Sequence, residues 1–424
     1  MSHRARLLAL LQRQGPLSSA AVQRELGISR PTLSRLMRET DGEILRLGQT
    51  RRVRYAAPRR IEGLPAYIPV ARVDENGRAH IHAHIRPLEP EEWAWESESG
   101  ELRIGTGLPR EVADLWPAGC WDSRLNGNMA TDTETGRLTW MIEQGHDLPG
   151  NLVVGDQALA QFMQLDPAAR TLDELPAMAS QADAGEVVGA PLGGQWPKFT
   201  AWMENHHILV KYARLDDTPA GQRRADLLVA EVLALETLQR EGMAGTPARL
   251  IDRDGWRFLA LARFDRVGRL GRRGVIRLSA LSGKGIDPAD WSQSARALQR
   301  SARLSSDDAR TILWRETFAA LIANNDRHGD NLAFFNREDE QLTLAPAFDM
   351  LPMAAAPNER DEVPEQLPAP PLPAGGELDI WRDCARAAAD YWQRLANEQR
   401  VSFDFRKLAA AQGKAIAERV ERLG

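Results

Sequence analysis

Asn324-Asn325-Asp326-Arg327-His328-Gly329-Asp330-Asn331 is the stretch on which the reading of this 424-residue chain turns. Before it, Phe318, Leu321 and Ile322 share one side of a segment, which predicts a helix leading into the stretch. After it, Leu332–Phe335 reads as a strand, Asn336–Glu340 as a polar turn and Leu342–Ala345 as a second strand. Phe348-Asp349-Met350 follows. A hairpin returns the chain to where it began, so Asn331 and Asp349 are expected side by side. Both offer the hard oxygen donors that Mg²⁺ demands. Asp326, five residues before Asn331, is expected to accept the proton of an attacking hydroxyl. The bland alternative is a polar loop with two helix-capping acids.

An Asp, an Asn five positions on, a hairpin and then Phe-Asp is the order found in protein kinases. Two further kinase elements have candidates upstream. Gly189-Ala190-Pro191-Leu192-Gly193-Gly194-Gln195-Trp196-Pro197-Lys198-Phe199 is a Gly-rich turn whose backbone N–H groups can approach phosphate oxygens. Glycine pairs also mark ordinary turns, so this signal is weak by itself. It precedes a predicted apolar strand, Ile208-Leu209-Val210-Lys211. The chain holds five lysines against 49 arginines, so a lysine kept on an apolar strand points to a specific role. That role is to neutralise the α- and β-phosphates of ATP. In the helix predicted over Gln222–Arg240, Leu227, Leu228, Leu235 and Leu238 form the apolar stripe, and Glu231 falls on it. A carboxylate on a buried face needs a partner, and Lys211 is the natural one. A surface lysine and a solvated edge glutamate are the alternatives.

Charge is unevenly spread. Residues 1–60 carry thirteen arginines against four acidic residues, a balance of +9 in a chain of net charge −5. A small basic segment on an acidic body fits a nucleic-acid-binding module. Residues 1–58 read as three helices and a hairpin. Ser18 or Ser19 caps the second helix and Gly27 ends it. Ser29 caps the third, with Leu33, Leu36 and Met37 inward. Ile44 to Tyr55 alternates around Gly48-Gln49, a two-stranded wing. This is a winged helix-turn-helix. Its third helix would offer Arg30, Thr32, Ser34, Arg35 and Arg38 to the major groove of double-stranded DNA. Arg51, Arg52 and Arg54 on the wing would meet phosphates. A winged helix used only for protein contacts is the alternative.

Residues 59–180 read as short strands and loops, with a helix near Asp156–Met163. His80, His82 and His84 alternate on one strand face, which reads as a solvated face rather than a metal site. Pro167–Ala184 is polar and alanine-rich and reads as a linker. Ala355–Glu377 is proline-rich and reads as an exposed loop, with two helices closing the chain. Only Cys120 and Cys384 occur, so a disulfide framework is excluded. No apolar run long enough to span a bilayer and no signal-peptide core is present, so a cytoplasmic protein without a membrane partner is expected.

Together these motifs resemble the HipA-like serine/threonine kinase toxin family. Gly193-Gly194-Gln195-Trp196-Pro197-Lys198 resembles its phosphate loop, and Leu261-Ala262-Arg263-Phe264-Asp265-Arg266 its hinge. Asn325-Asp326-Arg327-His328 through Asn331, with Phe348-Asp349, resembles its catalytic and metal-binding motifs. Gly107-Leu108-Pro109 through Asp114-Leu115-Trp116-Pro117-Ala118-Gly119 also resembles the family, so the likeness covers about residues 105–424. It implies ATP- and Mg²⁺-dependent phosphorylation of a protein, in this family including aminoacyl-tRNA synthetases, and a toxin-antitoxin setting with an antitoxin partner. It places adenine on the backbone at Ala262 and Phe264, the ribose on Asp265, and the phosphates near Gly193, Gly194, Gln195, Lys198 and His328. The N-terminal part resembles a subgroup that fuses its winged helix to the kinase. One departure stands out. Many members carry a serine before the Gly-rich turn, whose autophosphorylation ejects the loop; here Ala190, Pro191 and Leu192 stand there.

The expected fold is α+β: a bilobal protein-kinase-like body with a helical C-terminal lobe, plus the winged helix. The expected divisions are 1–58, 59–265 and 266–424. Two rival functions are a transcriptional regulator whose kinase-like body only binds nucleotide or a partner, and a DNA-acting nuclease.

Overall fold

A computed structural model describes residues 2–40, 42–49, 53–116, 133–186, 188–190, 193, 196–336, 341–373 and 377–423. They fall into two compact units, one up to residue 166 and one from residue 167.

The first unit begins with α1 (His3–Gln14), α2 (Ser19–Leu26) and α3 (Arg30–Glu39). Each starts at a serine, Ser2, Ser18 and Ser29, whose hydroxyl accepts a first-turn backbone N–H. Leu7, Leu10, Leu11, Val22, Leu26, Leu33 and Leu36 bury their side chains between the helices. Strands β1 (Leu17–Ser18), β2 (Leu45–Leu47) and β3 (Arg54–Ala56) form an antiparallel sheet in the order β1-β3-β2. The hairpin expected around Gly48 is therefore joined by a third strand. Arg51 and Arg52 lie outside the described residues.

A five-stranded antiparallel sheet follows: β4 (Ile68–Val73), β5 (Ala79–Leu88), β6 (Glu92–Ser97), β7 (Leu102–Thr106) and β8 (Leu152–Val154), in the order β7-β6-β5-β4-β8. Helices α4 (Arg110–Ala113), α5 (Glu134–Gln144) and α6 (Asp156–Met163) complete this unit. Ile68, Val70, Ile85, Trp93 and Trp95 pack with Leu138 and Met141 as its core. The hairpin is not a free wing. Leu47 and Ala56 share a small apolar cluster with Leu88 and Ala94, and the Gly48 amide donates to Glu96 Oε1 at 3.3 Å. The histidine face is also less open than expected: His84 stacks on Tyr67 with centroids 4.0 Å apart, and Arg72 donates to His82 Nε2 at 2.8 Å. Among the described residues no cluster of His, Cys, Asp and Glu could hold a metal ion.

The second unit opens with α7 (Leu175–Asp183), which corrects the linker expected over Pro167–Ala184. Leu175, Met178, Ala179 and Ala182 recur at helical spacing and bury against Phe199, Val210 and Phe258. Alanine-rich composition hid an amphipathic stripe. Then come β9 (Lys198–Met203), β10 (His206–Arg214), α8 (Pro219–Arg240), β11 (Ala248–Arg253) and β12 (Trp256–Ala262). Their antiparallel sheet runs β11-β12-β10-β9, with α8 against it and buried along most of its length. Short strands β13 (Arg266–Val267), β14 (Gly271–Arg272) and β15 (Val275–Arg277) lead to α9 (Trp291–Arg300) and α10 (Ser306–Leu321). The hairpin β16 (Ala333–Asn336) and β17 (Leu342–Leu344) follows, and β15 pairs with β16. Residues 356–373 form no helix or strand, and α11 (Leu378–Asn397) and α12 (Phe403–Leu423) pack together at the end. Among the described residues, no helix is long and apolar enough to cross a membrane.

Candidate active site

Lys211 on β10 and Glu231 on α8 meet inside the second unit. The Lys211 ammonium donates to both Glu231 oxygens at 2.7 Å, with side chains 3% and 0% exposed. Lys211 also pairs with Asp349. A lone ammonium here would be costly to bury; two carboxylates offset that. Burial alone would lower the Lys211 pKa, but Asp349 and Glu231 outweigh it and hold the ammonium above its ordinary value. Burial opposes ionisation of Asp349, yet Lys211 and then Lys198 pull its carboxyl below the usual range. In the β9–β10 pairing Lys198 stands opposite Lys211, so two of the five lysines leave the sheet on one face. The Lys198 ammonium reaches the Gly193 carbonyl.

The loop between α10 and β16 approaches from the other side. Asn324 is buried and ties it to the end of the hairpin. Its Oδ1 accepts the Asp326 amide at 3.0 Å, and its Nδ2 donates to the Asp349 carbonyl at 3.2 Å. The Asn331 side-chain nitrogen donates to the Asp326 carbonyl at 2.9 Å, which turns its Oδ1 the other way. Asp349 sits at φ 51°, a left-handed conformation that Asp tolerates better than bulkier residues. The Asp326 carboxylate is 41% exposed, 3.7 Å from His328 Nε2. The Asp330 amide donates to His328 Nδ1 at 3.2 Å, which makes Nδ1 an acceptor and turns Nε2 toward Asp326. A Cβ on Gly329 would lie 2.7 Å from Pro288 and 2.9 Å from the Ser279 nitrogen, so only glycine lets the loop seat here.

Residues 190–422 match the family model described as HipA-like C-terminal domain, and residues 64–163 match YjjJ-like toxin, middle domain. The Toxin YjjJ of Escherichia coli (strain K12) is 32% identical over 440 residues, spanning 97% of this chain and 98% of that protein.

The chain belongs to the HipA-like toxin family.

Its fold is shared with the HipA of Shewanella oneidensis MR-1, solved as a toxin-antitoxin complex with HipB and its operator DNA. The two superpose with a TM-score of 0.54 at 13% identity, covering 84% of this chain and 97% of that one. The proinflammatory kinase CtkA of Helicobacter pylori aligns more loosely, with a TM-score of 0.39 at 12% identity over 55% of this chain and 90% of that one.

The residues that the HipA-like resemblance singled out sit as follows. Gly194 and Gln195 lie outside the described residues. The Ala262 amide already donates to the Pro247 carbonyl at 2.9 Å, so an adenine would have to be met by other atoms of the segment. The Phe264 ring meets Phe335 and Phe348 at centroid distances of 5.9 and 5.8 Å, a small aromatic floor beside Asp349. Asp265 is buried, with Arg263 at 2.8 Å and Arg266 at 2.6 Å on its carboxylate, so a ribose hydroxyl would have to share those oxygens. In the first unit, Arg30, Ser34, Arg35 and Arg38 are exposed on α3, whereas the Thr32 hydroxyl is engaged with Ser29 Oγ at 2.9 Å.

Two residues of the site escaped the sequence reading. One is Asn324, quoted without a role. The other is Arg315 on α10, buried, whose guanidinium reaches the Met243 carbonyl at 2.8 Å, Ala244 at 3.1 Å and Ala345 at 2.9 Å. Burial pushes its pKa down to about 10 against the pull of Asp308, so it stays charged near neutrality. A signal existed: Arg315 falls on the stripe of Ile312, Phe318 and Ala319, as Glu231 does on its own.

Proposed function

We propose that this protein is an ATP-dependent serine/threonine protein kinase of toxin-antitoxin type. The observation that carries the reading is the buried Lys211 held between Glu231 and Asp349, facing a loop that presents Asp326 and Asn331. The donor set fits Mg²⁺: Asn331 and Asp349 supply two hard oxygens and no soft ligand, as expected of an ion that completes its shell with phosphate and water. Mg²⁺ bound there would neutralise charge on the phosphates. Lys211 would bind the phosphates, with Glu231 keeping it in place. Asp326 would take the proton as the substrate hydroxyl oxygen attacks the γ-phosphorus and the bond to the β-phosphate oxygen breaks, releasing ADP. The exposure of Asp326 and His328 suits a macromolecular substrate. By the family setting, that substrate is a component of translation such as an aminoacyl-tRNA synthetase, and the protein acts in the cytoplasm with an antitoxin.

The deciding test is transfer of labelled phosphate by the purified chain with ATP and Mg²⁺, against Asp326→Asn. Wild type should label protein, while Asp326→Asn should bind ATP and transfer phosphate about 10²–10⁴-fold more slowly. Wild type that binds ATP yet transfers nothing would make it a nucleotide-binding regulator. Equal transfer by both would remove Asp326 from the chemistry.

Residues 1–58 we assign to a winged helix-turn-helix that holds duplex DNA for autoregulation, supported by the exposed arginines of α3 and the +9 charge of residues 1–60. Because the hairpin shares its cluster with Leu88 and Ala94, the test uses the full chain. The double change Arg35→Ala and Arg38→Ala should weaken duplex binding and flatten its salt dependence by about 0.9 per lost phosphate contact. Binding and slope unchanged from wild type would take α3 off the DNA.

A further inference from the structure

Thr200 is the only hydroxyl residue between positions 181 and 200, and its hydroxyl is in use. It is buried on β9, and its Oγ1 accepts the amide of Ala190 at 2.6 Å. The approach is close by necessity. Gly189 has φ +72°, and a Cβ there would lie 2.3 Å from Thr200 Oγ1 and 2.4 Å from the Thr200 carbonyl oxygen. Any side chain would push the segment off the strand.

Alternation along β9 gives this contact its meaning. Thr200 and Lys198 are two residues apart, so they leave the strand on one face. Lys198 takes the Gly193 carbonyl and Thr200 takes the Ala190 amide. Ala190 and Gly193 are thus both tied to one strand face, the face on which Lys211 stands opposite Lys198.

We propose that Thr200 is a positioning residue that latches the base of the Gly-rich turn in register with Lys211, and so sets the affinity for the phosphates of ATP. This rests on the kinase reading. The latch does by a neutral hydrogen bond what an autophosphorylated residue cannot: it keeps the turn down. It also hides the one hydroxyl of residues 181–200, since Thr200 is buried on β9 with its oxygen engaged by the Ala190 amide. Ser180, the nearest serine upstream, donates to the Pro176 carbonyl at 2.9 Å within α7.

Thr200→Val keeps the shape and removes the acceptor, leaving a buried amide unpaired. Thr200→Ser restores the acceptor. Two readouts apply to the full chain: steady-state kinetics with varied ATP, and hydrogen exchange of the peptide that contains Ala190. Thr200→Val should raise the KM for ATP about tenfold with kcat within about twofold, and should lose protection at Ala190. Thr200→Ser should behave as wild type in both. A Thr200→Val protein with unchanged KM, or with Ala190 still protected, overturns the latch; so does an equal fall in kcat and in unfolding midpoint, which would mean general damage. Wild type that binds no ATP overturns the proposed function and with it the nucleotide role, whereas exchange at Ala190 still decides whether the latch exists.

Discussion

The two sides of the candidate site are held in opposite ways. On one side Lys211 and Glu231 are 3% and 0% exposed and joined by side-chain bonds, and Lys211 also bonds Asp349. On the other, Asp326, His328 and Asp330 are 41%, 50% and 37% exposed, and the loop is held mainly through backbone groups bonded by Asn324 and Asn331. The buried side is preorganised, which suits the proposed binding of one invariant small molecule. The open side leaves the Asp326 carboxylate accessible, which suits the proposed protein substrate. Stability and activity should therefore be coupled on the first side and separable on the second.

The largest expected effect tests the buried side. Lys211→Ala leaves Glu231 and Asp349 as neighbouring carboxylates with no cation between them. Unfolding in urea should show a loss of about 3–5 kcal/mol, together with loss of phosphate transfer. A variant as stable as wild type would mean the pair contributes nothing to the fold. The open side gives the contrast. Asp326→Asn should cut kcat by about 10²–10⁴-fold while unfolding shifts by less than about 0.5 kcal/mol. A large fall in stability there would erase the distinction.

The smallest effect lies away from the site. Glu398 is paired with Arg400 at 2.9 Å, and that hydrogen bond, against the effect of burial, holds its pKa down to about 2, from an ordinary 4.5. A depressed acid stabilises the fold above its unfolded pKa, and the contribution is lost as pH falls through the folded value. The window is therefore pH 4.5 down to about 2. Since the pair is largely solvent-screened, its worth is less than about 1 kcal/mol. Glu398→Gln should remove that part of the acid sensitivity of the unfolding midpoint and leave the midpoint at pH 7 lower by no more than this. An identical acid profile in the variant would show the pair to be inert.

Local periodicity made much of this readable. The hairpin after Asn331 and the position of Glu231 on an apolar stripe follow from helical and strand spacing, and the structure forms the hairpin and sets Glu231 on Lys211. What spacing does not encode is pairing across distance. That the hairpin around Gly48 packs on Leu88 and Ala94 depends on residues far apart in the chain, with no local trace. The engagement of Asp265 by Arg263 and Arg266 was hidden for another reason: a motif tells which residues are present, not which neighbour claims their atoms. With α7, composition outweighed pattern, because four small or flexible side chains carried the stripe.

Arg315 bears on how the molecule assembles itself. Its charge is satisfied by carbonyls from two separate places, the turn after α8 and the strand that leads to Asp349. Until both have arrived, the guanidinium would stand bare among Ile312, Phe318 and Ala319, or α10 would have to remain undocked. Docking of α10 is thereby coupled to both segments, since an unpaired buried charge is costly. One buried cation thus ties the docking of α10 to the hairpin that carries Asp349, so loosening either strand or turn should be felt at the other.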